Sequence, residues 1–363
     1  MNCYIQEEKR PGPTSRTAWS KARTDAEAIC ADAGWTAISI VPPPGDRENA
    51  GLAAKLAGHV RMDGVWRDGL SRLSDGDTLL IQLPVIHNCL FLARALRRVR
   101  SRGVRVIGLV HDLESLRMSL DASFGLRTRA RMHIEETGVL GVCDRLVVHN
   151  DKMRALMAER GVPDDKMISL GLFDYLMTAD AERAVLERDP AADYRTLVVA
   201  GNLSADKAGY IYALPPGLRV NLYGVYYDGS RGAAGGDYRG AFAPDELPAA
   251  LEGGFGLVWD GPDADTCRGV YGEYLRYNNP HKASLYLASG LPVVIWSGAA
   301  LAETITAAGA GFAVGSLGEA AEVLRDMTAA DYAQYRANAA ALGAALRRGQ
   351  RLRTALGIGG EGK

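Results

Sequence analysis

Cysteine is scarce: five residues in 363, an odd number, scattered as Cys3, Cys30, Cys89, Cys143 and Cys267. None stands in a CxxC or other ligand spacing. That argues against a structural zinc site and a disulfide framework, and points to reduced thiols in a cytoplasmic protein. Charge imbalance is also missing, with 42 basic and 43 acidic side chains leaving a net −1. A dedicated nucleic-acid binder would carry a strongly basic domain, so no nucleic-acid partner is expected. No apolar run approaches the ~20 residues of a membrane span, and the start "MNCYIQEEKRPGP" lacks the apolar core of a secretory leader. Neither the P-loop pattern GxxxxGK followed by Ser or Thr, nor a GxGxxG after a strand, occurs. These absences weigh against a P-loop NTPase and a dinucleotide dehydrogenase.

What is present is an alternation of short apolar runs with amphipathic stretches of helical length. "WTAISIV" (35–41), "TLLIQLPV" (78–85), "VRVIGLV" (104–110) and "RLVVHN" (145–150) are rich in branched side chains and too short for helices, so they read as buried strands. Helix candidates at 20–32, 88–102 and 151–160 lie between them, with Gly34, Gly103 and Gly161 just past their ends as C-terminal caps. Repeated β-α-β with short links predicts a parallel, doubly wound sheet. The polar stretch 178–195, containing Pro190, breaks the pattern and reads as a link. Strand signals then restart at "TLVVAG" (196–201), "LRVNLYG" (218–224), "FGLVWDG" (255–261), "LPVVIW" (291–296) and "GFAVGS" (311–316), a second αβ sheet. The length suits two domains of middling size. The expected division is 1–177, a linker at 178–195, 196–356 with its last helix (329–348) packing back on the first domain, and a disordered tail at 357–363. Residues 229–240, rich in glycine, read as a flexible loop. Two α/β domains facing a central cleft would bind ligands beyond the carboxyl ends of their strands.

The stretch "YNNPHKASLYLASGLPVVIW" (277–296) carries a possible site. Pro280 suits the first helical position and Asn279 the N-cap. The free amides and the helix dipole then favour an anion. Lys282 in that first turn opposes the dipole unless an anion is shared, and this local conflict marks a candidate. A capped core helix with a snorkelling lysine is the blander alternative. "VVAGNLSADKAGY" repeats the theme: Gly201 lets backbone approach a ligand, Asn202 and Ser204 donate, and Lys207 is a point charge for phosphate. Two such strand-loop-helix starts suggest a diphosphate cradle. Tyr223, Tyr226 and Tyr227 follow the next strand, where one could stack on a base or ribose. The Asp-x-Asp triplets at 75–77 and 263–265 are assigned no metal.

In the first half, "VRVIGLVHDLESLR" places His111, Asp112, Glu114 and Arg117 beyond a buried strand, where a carboxylate or imidazole could take a proton from an acceptor hydroxyl. "EEKRPGPTSRTAWSKA" reads as an acceptor-side loop with Ser15, Thr17 and Lys21. Arginines cluster at 94–105 and again at 347–353. Such runs are solvated faces, or peripheral contacts with anionic lipid at the inner face of a membrane.

"HDLESLR", "VVHNDKM", "GLFDY" (171–175), "AGNLSADKAGY", "LYG", "GAFAPDELP" (240–248), "GGFGLVWDG" and "YNNPHKASLYLASGLPVVIW" together resemble bacterial GT-B glycosyltransferases, specifically the galactofuranosyltransferase and glucosyltransferase family of O-antigen, capsule and adhesin glycosylation. The resemblance implies two Rossmann-like, doubly wound domains and a UDP-sugar donor held by the second. It implies metal-independent transfer, with no cofactor, to a glycan, glycolipid or glycoprotein acceptor. By position, Asn202 and Lys207 would contact the diphosphate or ribose, and Asn278, Asn279 and Lys282 would grip the diphosphate. The loop around Ser15 to Lys21 would close over the donor, and relatives often form homo-oligomers. The Glu-x7-Glu pair of many retaining enzymes is missing between "GGFGLVWDG" and "NNPHK", which favours inversion. The expectation is an inverting hexosyltransferase with Asp112 or His111 as base and Lys207 and Lys282 offsetting charge on departing UDP. The alternatives are a non-catalytic partner subunit that binds UDP-sugar or glycan, and a nucleotide-sugar epimerase.

Overall fold

The computed structural model describes residues 1–8, 18–43, 52–87, 90–121, 123–188, 194–232 and 235–358. The chain forms two compact units, Met1–Gly12 with Glu27–Ser169, and Pro13–Ala26 with Leu170–Lys363. The strands of the first are β1 (Asn2–Glu7), β2 (Thr36–Ile40), β3 (Thr78–Leu83), β4 (Arg105–Val110), β5 (Arg145–Val148) and β6 (Met167–Ser169), with helices α1 (Ala18–Asp32), α2 (Leu52–Leu70), α3 (Leu92–Arg100), α4 (Glu114–Leu120), α5 (Leu126–Leu140) and α6 (Asp151–Glu159). Helix α1 is shared: through Ala26 it belongs to the second unit and from Glu27 to the first.

The second unit contains helix α7 (Ala179–Glu187), then β7 (Leu197–Asn202), α8 (Ala205–Ala208), β8 (Val220–Val225), β9 (Gly236–Gly240), α9 (Leu247–Ala250), β10 (Phe255–Val258), α10 (Gly269–Tyr274), α11 (His281–Ala288), β11 (Val293–Trp296), α12 (Ala302–Ala307), β12 (Gly311–Val314), α13 (Leu317–Asp326), α14 (Ala329–Arg347) and α15 (Gln350–Leu356). Within the stretch expected as a link, α7 is capped by the Thr178 side chain and buries Ala181 and Val185. The glycine-rich segment taken for a loop contributes β9, a parallel edge strand on β8 with an irregularity at Leu222/Tyr223. Its exposed, glycine-flanked residues carry no apolar alternation, so the sequence gives no strand signal there.

Both sheets are parallel. The first runs β2-β1-β3-β4-β5-β6 and the second β12-β11-β10-β7-β8-β9. Strand order reverses between β1 and β3 in one and between β7 and β10 in the other. At such switch points the strands part and leave a crevice at their carboxyl ends. The continuous apolar runs are buried as parallel strands require, for example Leu197, Val198 and Val199 at 1% exposure or less.

At the second switch point the pairing of β7 with β10 extends only over Leu197–Phe255 and Val198–Gly256. Beyond it, the Ala200 amide donates to the Tyr286 hydroxyl of α11 at 2.8 Å. Tyr286 packs against Gly256 of β10, where an added Cβ would stand 2.0 Å from its Cγ. On the far side of α11, Gly343 of α14 approaches so closely that a Cβ would stand 2.1 Å from the Leu287 carbonyl oxygen. Two missing side chains therefore set how deeply α11 sits. Gly256→Ala should cost about 3 kcal/mol through overpacking, read from urea unfolding. Gly64→Ala in α2, with no described atom within 4 Å, should be neutral or gain about 0.5–1 kcal/mol. Equal stability of the two variants would contradict this packing account.

Candidate functional site

At the carboxyl end of β7, Gly201 takes φ +128° with no described atom within 4 Å of a would-be Cβ. Its register partner Gly224 stands so close that a Cβ there would meet the Gly201 oxygen at 1.8 Å. Asn202 Oδ1 accepts from the Ser204 amide at 2.8 Å and shapes the turn into α8. Lys207, on α8, lies 4.9 Å from the Tyr271 ring centroid and has no ion pair among the described residues. The Lys207 carbonyl accepts from the Gly261 amide at 2.7 Å, joining α8 to the loop after β10.

That loop supplies a residue to which sequence reasoning gave no role. Asp260 is 4% exposed, and its carboxylate meets Lys282 Nζ at 2.7 Å while the Trp259 carbonyl accepts from the same ammonium at 3.2 Å. The anion that relieves the Lys282–dipole conflict is therefore intramolecular. The only sequence signal was position: Asp260 follows a buried strand directly, inside "FGLVWDG".

The start of α11 needs correction. The first helical residue is His281 and Pro280 occupies the N-cap position without a side-chain cap. Asn279 is 3% exposed, and its amide donates to the Gly171 carbonyl. Proline at the N-cap is compatible because its extended ψ of 127° turns the chain into the helix. The segment "GLFDY" wraps this helix start. The Asp174 carbonyl faces His281 Nε2 at 3.3 Å, and the Tyr175 ring lies 5.2 Å from the imidazole. Two motifs a hundred residues apart in sequence thus build one corner of the second unit. Burial lowers the His281 pKa from 6.5 to about 4, so the ring is neutral near pH 7. Asn278 Oδ1 and His281 Nδ1 are buried there without a hydrogen-bond partner among the described residues, unused bonding capacity that native interiors seldom leave.

Lys21 lies in α1 rather than in a loop. Its ammonium is 2.7 Å from Asp25 and 2.8 Å from Asp245, and 5.3 Å from the Tyr175 ring centroid. Burial raises the Asp25 pKa to about 6 against the opposing pull of Lys21. Ser15 and Thr17 lie outside the described residues, as does 359–363 of the tail. Tyr223 is within β8, 1% exposed, and its hydroxyl accepts from the Glu252 amide at 2.9 Å. Its ring is core and offers no stacking surface. Tyr227, in contrast, stacks on Tyr238 at 4.6 Å, and Tyr226 is 60% exposed with φ +66°.

In the first unit, buried polar groups gather past β1, β3, β4 and β5. Glu7 accepts from the Ile86 and His87 amides at 2.9 and 2.7 Å. Gln82 donates to Glu27 at 3.3 Å and accepts from His111 Nε2 at 2.7 Å. With the Gln82 oxygen as acceptor, Nε2 is a donor nitrogen of the His111 ring. Asp112 is half-buried, with Arg117 at 3.9 Å. Glu114 takes the nearer guanidinium nitrogen at 2.7 Å. His149, 1% exposed, has Nε2 3.0 Å from the His111 carbonyl. Glu7, Glu27 and Gln82 escaped notice in the sequence because each lies inside an ordinary strand or helix pattern.

Among the described residues no group of three or more His, Cys, Asp or Glu is arranged to hold a metal ion. The two doubly wound units are those of the GT-B glycosyltransferases. Solved structures covering nearly all of both chains include Anabaena Alr3699/HepE in complex with UDP-glucose (TM-score 0.56, 12% identity, 98% of this chain and 99% of that one) and WaaG, a glycosyltransferase involved in lipopolysaccharide biosynthesis (0.57, 12%, 99% and 100%). The descriptions "Glucosyltransferase 3-like, N-terminal domain" and "C-terminal domain" match residues 2–172 and 197–357, so the chain belongs to the glucosyltransferase 3-like family and is a glycosyltransferase. It is similar to beta-1,6-galactofuranosyltransferase WbbI of Escherichia coli K12, 33% identical over 94% of both chains, and to glucosyltransferase 3 of Streptococcus gordonii, 24% identical over 75% of this chain and 74% of that one.

Asp260→Ala should leave Lys282, only 13% exposed, without its carboxylate, costing about 3–5 kcal/mol of stability, whereas Asp260→Asn retains an acceptor and costs less. Wild-type stability in Asp260→Ala by thermal or urea unfolding would refute the assignment. A second expectation concerns His149, whose pKa is lowered from 6.5 to about 4 by burial. Between those limits the unfolded chain holds the extra proton. The contribution of about 3 kcal/mol is complete above pH 6.5 and is lost as pH falls through 4. His149→Gln should flatten this acid slope in urea-unfolding titrations; an unchanged slope would show that His149 is not its source.

Proposed function

We propose that the protein transfers a hexosyl group, galactofuranosyl or glucosyl, from a UDP-sugar to a sugar hydroxyl of a glycan, glycolipid or glycoprotein, with inversion and without a metal ion. The observation that carries the donor assignment is the convergence at the β7/β10 switch point. Gly201 and Lys207 follow β7, Asp260 follows β10 and holds Lys282 in the first turn of α11, the Gly261 amide ties the Asp260 loop to the Lys207 carbonyl, and Lys207 has no ion pair among the described residues. The names of the relatives support the sugar and the nucleotide: galactofuranosyl and glucosyl transfer among sequence relatives, and UDP-glucose in a structural neighbour.

In this reading Lys207 is the principal phosphate contact. Lys282 is paired with Asp260 and serves as a fixed donor whose position is set before the ligand arrives. Preorganised donors of this kind stabilise the charge that grows on the departing diphosphate without reorganising at the moment of reaction. Asn278 Oδ1, buried and without a partner, is suited to accept from a donor hydroxyl. Asn202 and Asn279 shape the two helix starts rather than touching phosphate. Asp112 or His111 takes the acceptor proton.

The test is turnover of UDP-glucose and UDP-galactofuranose with a panel of sugar acceptors. Lys207→Ala and Lys282→Ala should each lower kcat by at least about 100-fold. Asp112→Asn or His111→Gln should lower it by a similar factor with UDP affinity unchanged. Wild-type rates in both lysine variants, or activity abolished by EDTA, would overturn the reading.

A further inference from the structure

The two arginine clusters visible in the sequence have different fates. Arg347 is 7% exposed, bonding to Glu182 and to the Ala288 carbonyl at 2.7 Å, and Arg351 donates its backbone amide to Asp174 at 3.1 Å. That cluster holds the second unit together. The cluster on α3 does not turn inward. This helix buries Leu92, Ala95, Leu96 and Val99 and keeps Arg94, Arg97 and Arg98 outward. Beside it α5 buries only Val139 and Leu140 of its fifteen residues. It leaves Leu126 83% and Ile134 69% exposed, with Phe124 just before it and Leu90 at the approach to α3 also exposed. A groove of about 600 Å³ runs between the two helices, floored by Ala93, Ala130 and Gly138 and edged by Arg97, Arg127 and Ile134.

We propose that this α3/α5 face docks on an anionic phospholipid surface. The argument is charge complementarity joined to shape. Among the described residues Arg94, Arg97, Arg98 and Arg127 have no ion pair, in a chain whose net charge is −1. The acids nearby are engaged: Glu135 lies 3.8 Å from Arg131, Glu136 accepts from Ser115 of α4, and Asp121 accepts from the Ser123 amide at 2.9 Å. A protein partner selects an interface whose centre is depleted of charge. Here guanidinium groups interleave with large aliphatic side chains. Arg127, Arg131 and Ile134 share one helix face, a pattern suited to the headgroup layer, where arginine forks pair with phosphate while Leu and Ile enter the acyl boundary. No helix among the described residues is long and apolar enough to cross a membrane, so contact through this face would be peripheral. The Ser115–Glu136 bond ties α5 to α4, the helix that follows Asp112. If the proposed transfer reaction holds, lipid docking would bring the acceptor-side segment to lipid-linked sugars. The docking itself requires no donor or turnover.

The experiment is flotation of the full chain with vesicles of phosphatidylcholine alone or mixed with phosphatidylglycerol, across a salt series. Binding should require the anionic lipid and weaken as salt rises. Arg97→Ala with Arg127→Ala should weaken it about 30-fold, from about 5-fold for each arginine at an anionic surface. Leu126→Asn with Ile134→Asn should weaken it at every salt concentration, and Arg325→Ala, in the second unit, should leave it unchanged. All of these side chains are exposed, so melting temperatures should match wild type, which separates loss of docking from loss of fold. No binding to mixed vesicles, equal binding to neutral ones, or undiminished binding by both double variants would overturn the proposal. So would sedimentation showing that the face joins two copies of the chain, with the arginine variant dissociating them.

Discussion

The placement of α11 governs the second unit. Its Tyr286 reaches the point where β7 and β10 part, and the tyrosine hydroxyl accepts the Ala200 amide that the ladder leaves behind. A buried amide left without a partner costs about 1–3 kcal/mol, so the parting of the strands depends on that contact. Gly256 below and Gly343 above permit the approach because neither has a side chain. With the helix seated, its first turn stands over the carboxyl ends of the strands, and Lys282 reaches Asp260 at 2.7 Å.

Electrostatics at that helix start are balanced internally. A lysine in the first turn is unfavourable alone, and a buried aspartate is unfavourable alone; together, with the Trp259 carbonyl, they form a satisfied cluster. The pair contributes little net charge, which shifts the proposed phosphate-binding role toward Lys207, held near Tyr271 with no carboxylate paired to it among the described residues. The first unit is built on the same logic of buried polar groups beyond strand ends. There Glu27 receives the Gln82 amide, whose oxygen faces His111 Nε2.

Much of the fold was legible because parallel strands are buried on both faces and therefore read as unbroken apolar runs; Leu79 to Ile81 and Val293 to Ile295 are examples, all at 1% exposure or less. Gly34, Gly103 and Gly161 take the positive φ expected of residues ending helices. The edge strand β9 was hidden because exposure leaves it no apolar pattern. The site was legible as two helix starts, but side-chain partners were not. Sequence spacing suggested Asn279 as a cap, and only the fold reveals that Pro280 takes that position while the Asn279 side chain donates to Gly171, a hundred residues earlier. Tyr223 was a stacking candidate because it was read as following its strand, yet strand pairing carries it into the core. Asp260 was marked only by its place after a buried strand and Gln82 by nothing, since their roles arise from tertiary neighbours rather than from local pattern.

A crystal structure of the chain with UDP tests the central claim most directly. The diphosphate is predicted within hydrogen-bond distance of Lys207 Nζ and the first amides of α11, with the Lys282–Asp260 contact intact. Nucleotide bound elsewhere in the second unit, with Lys207 untouched, would contradict the account.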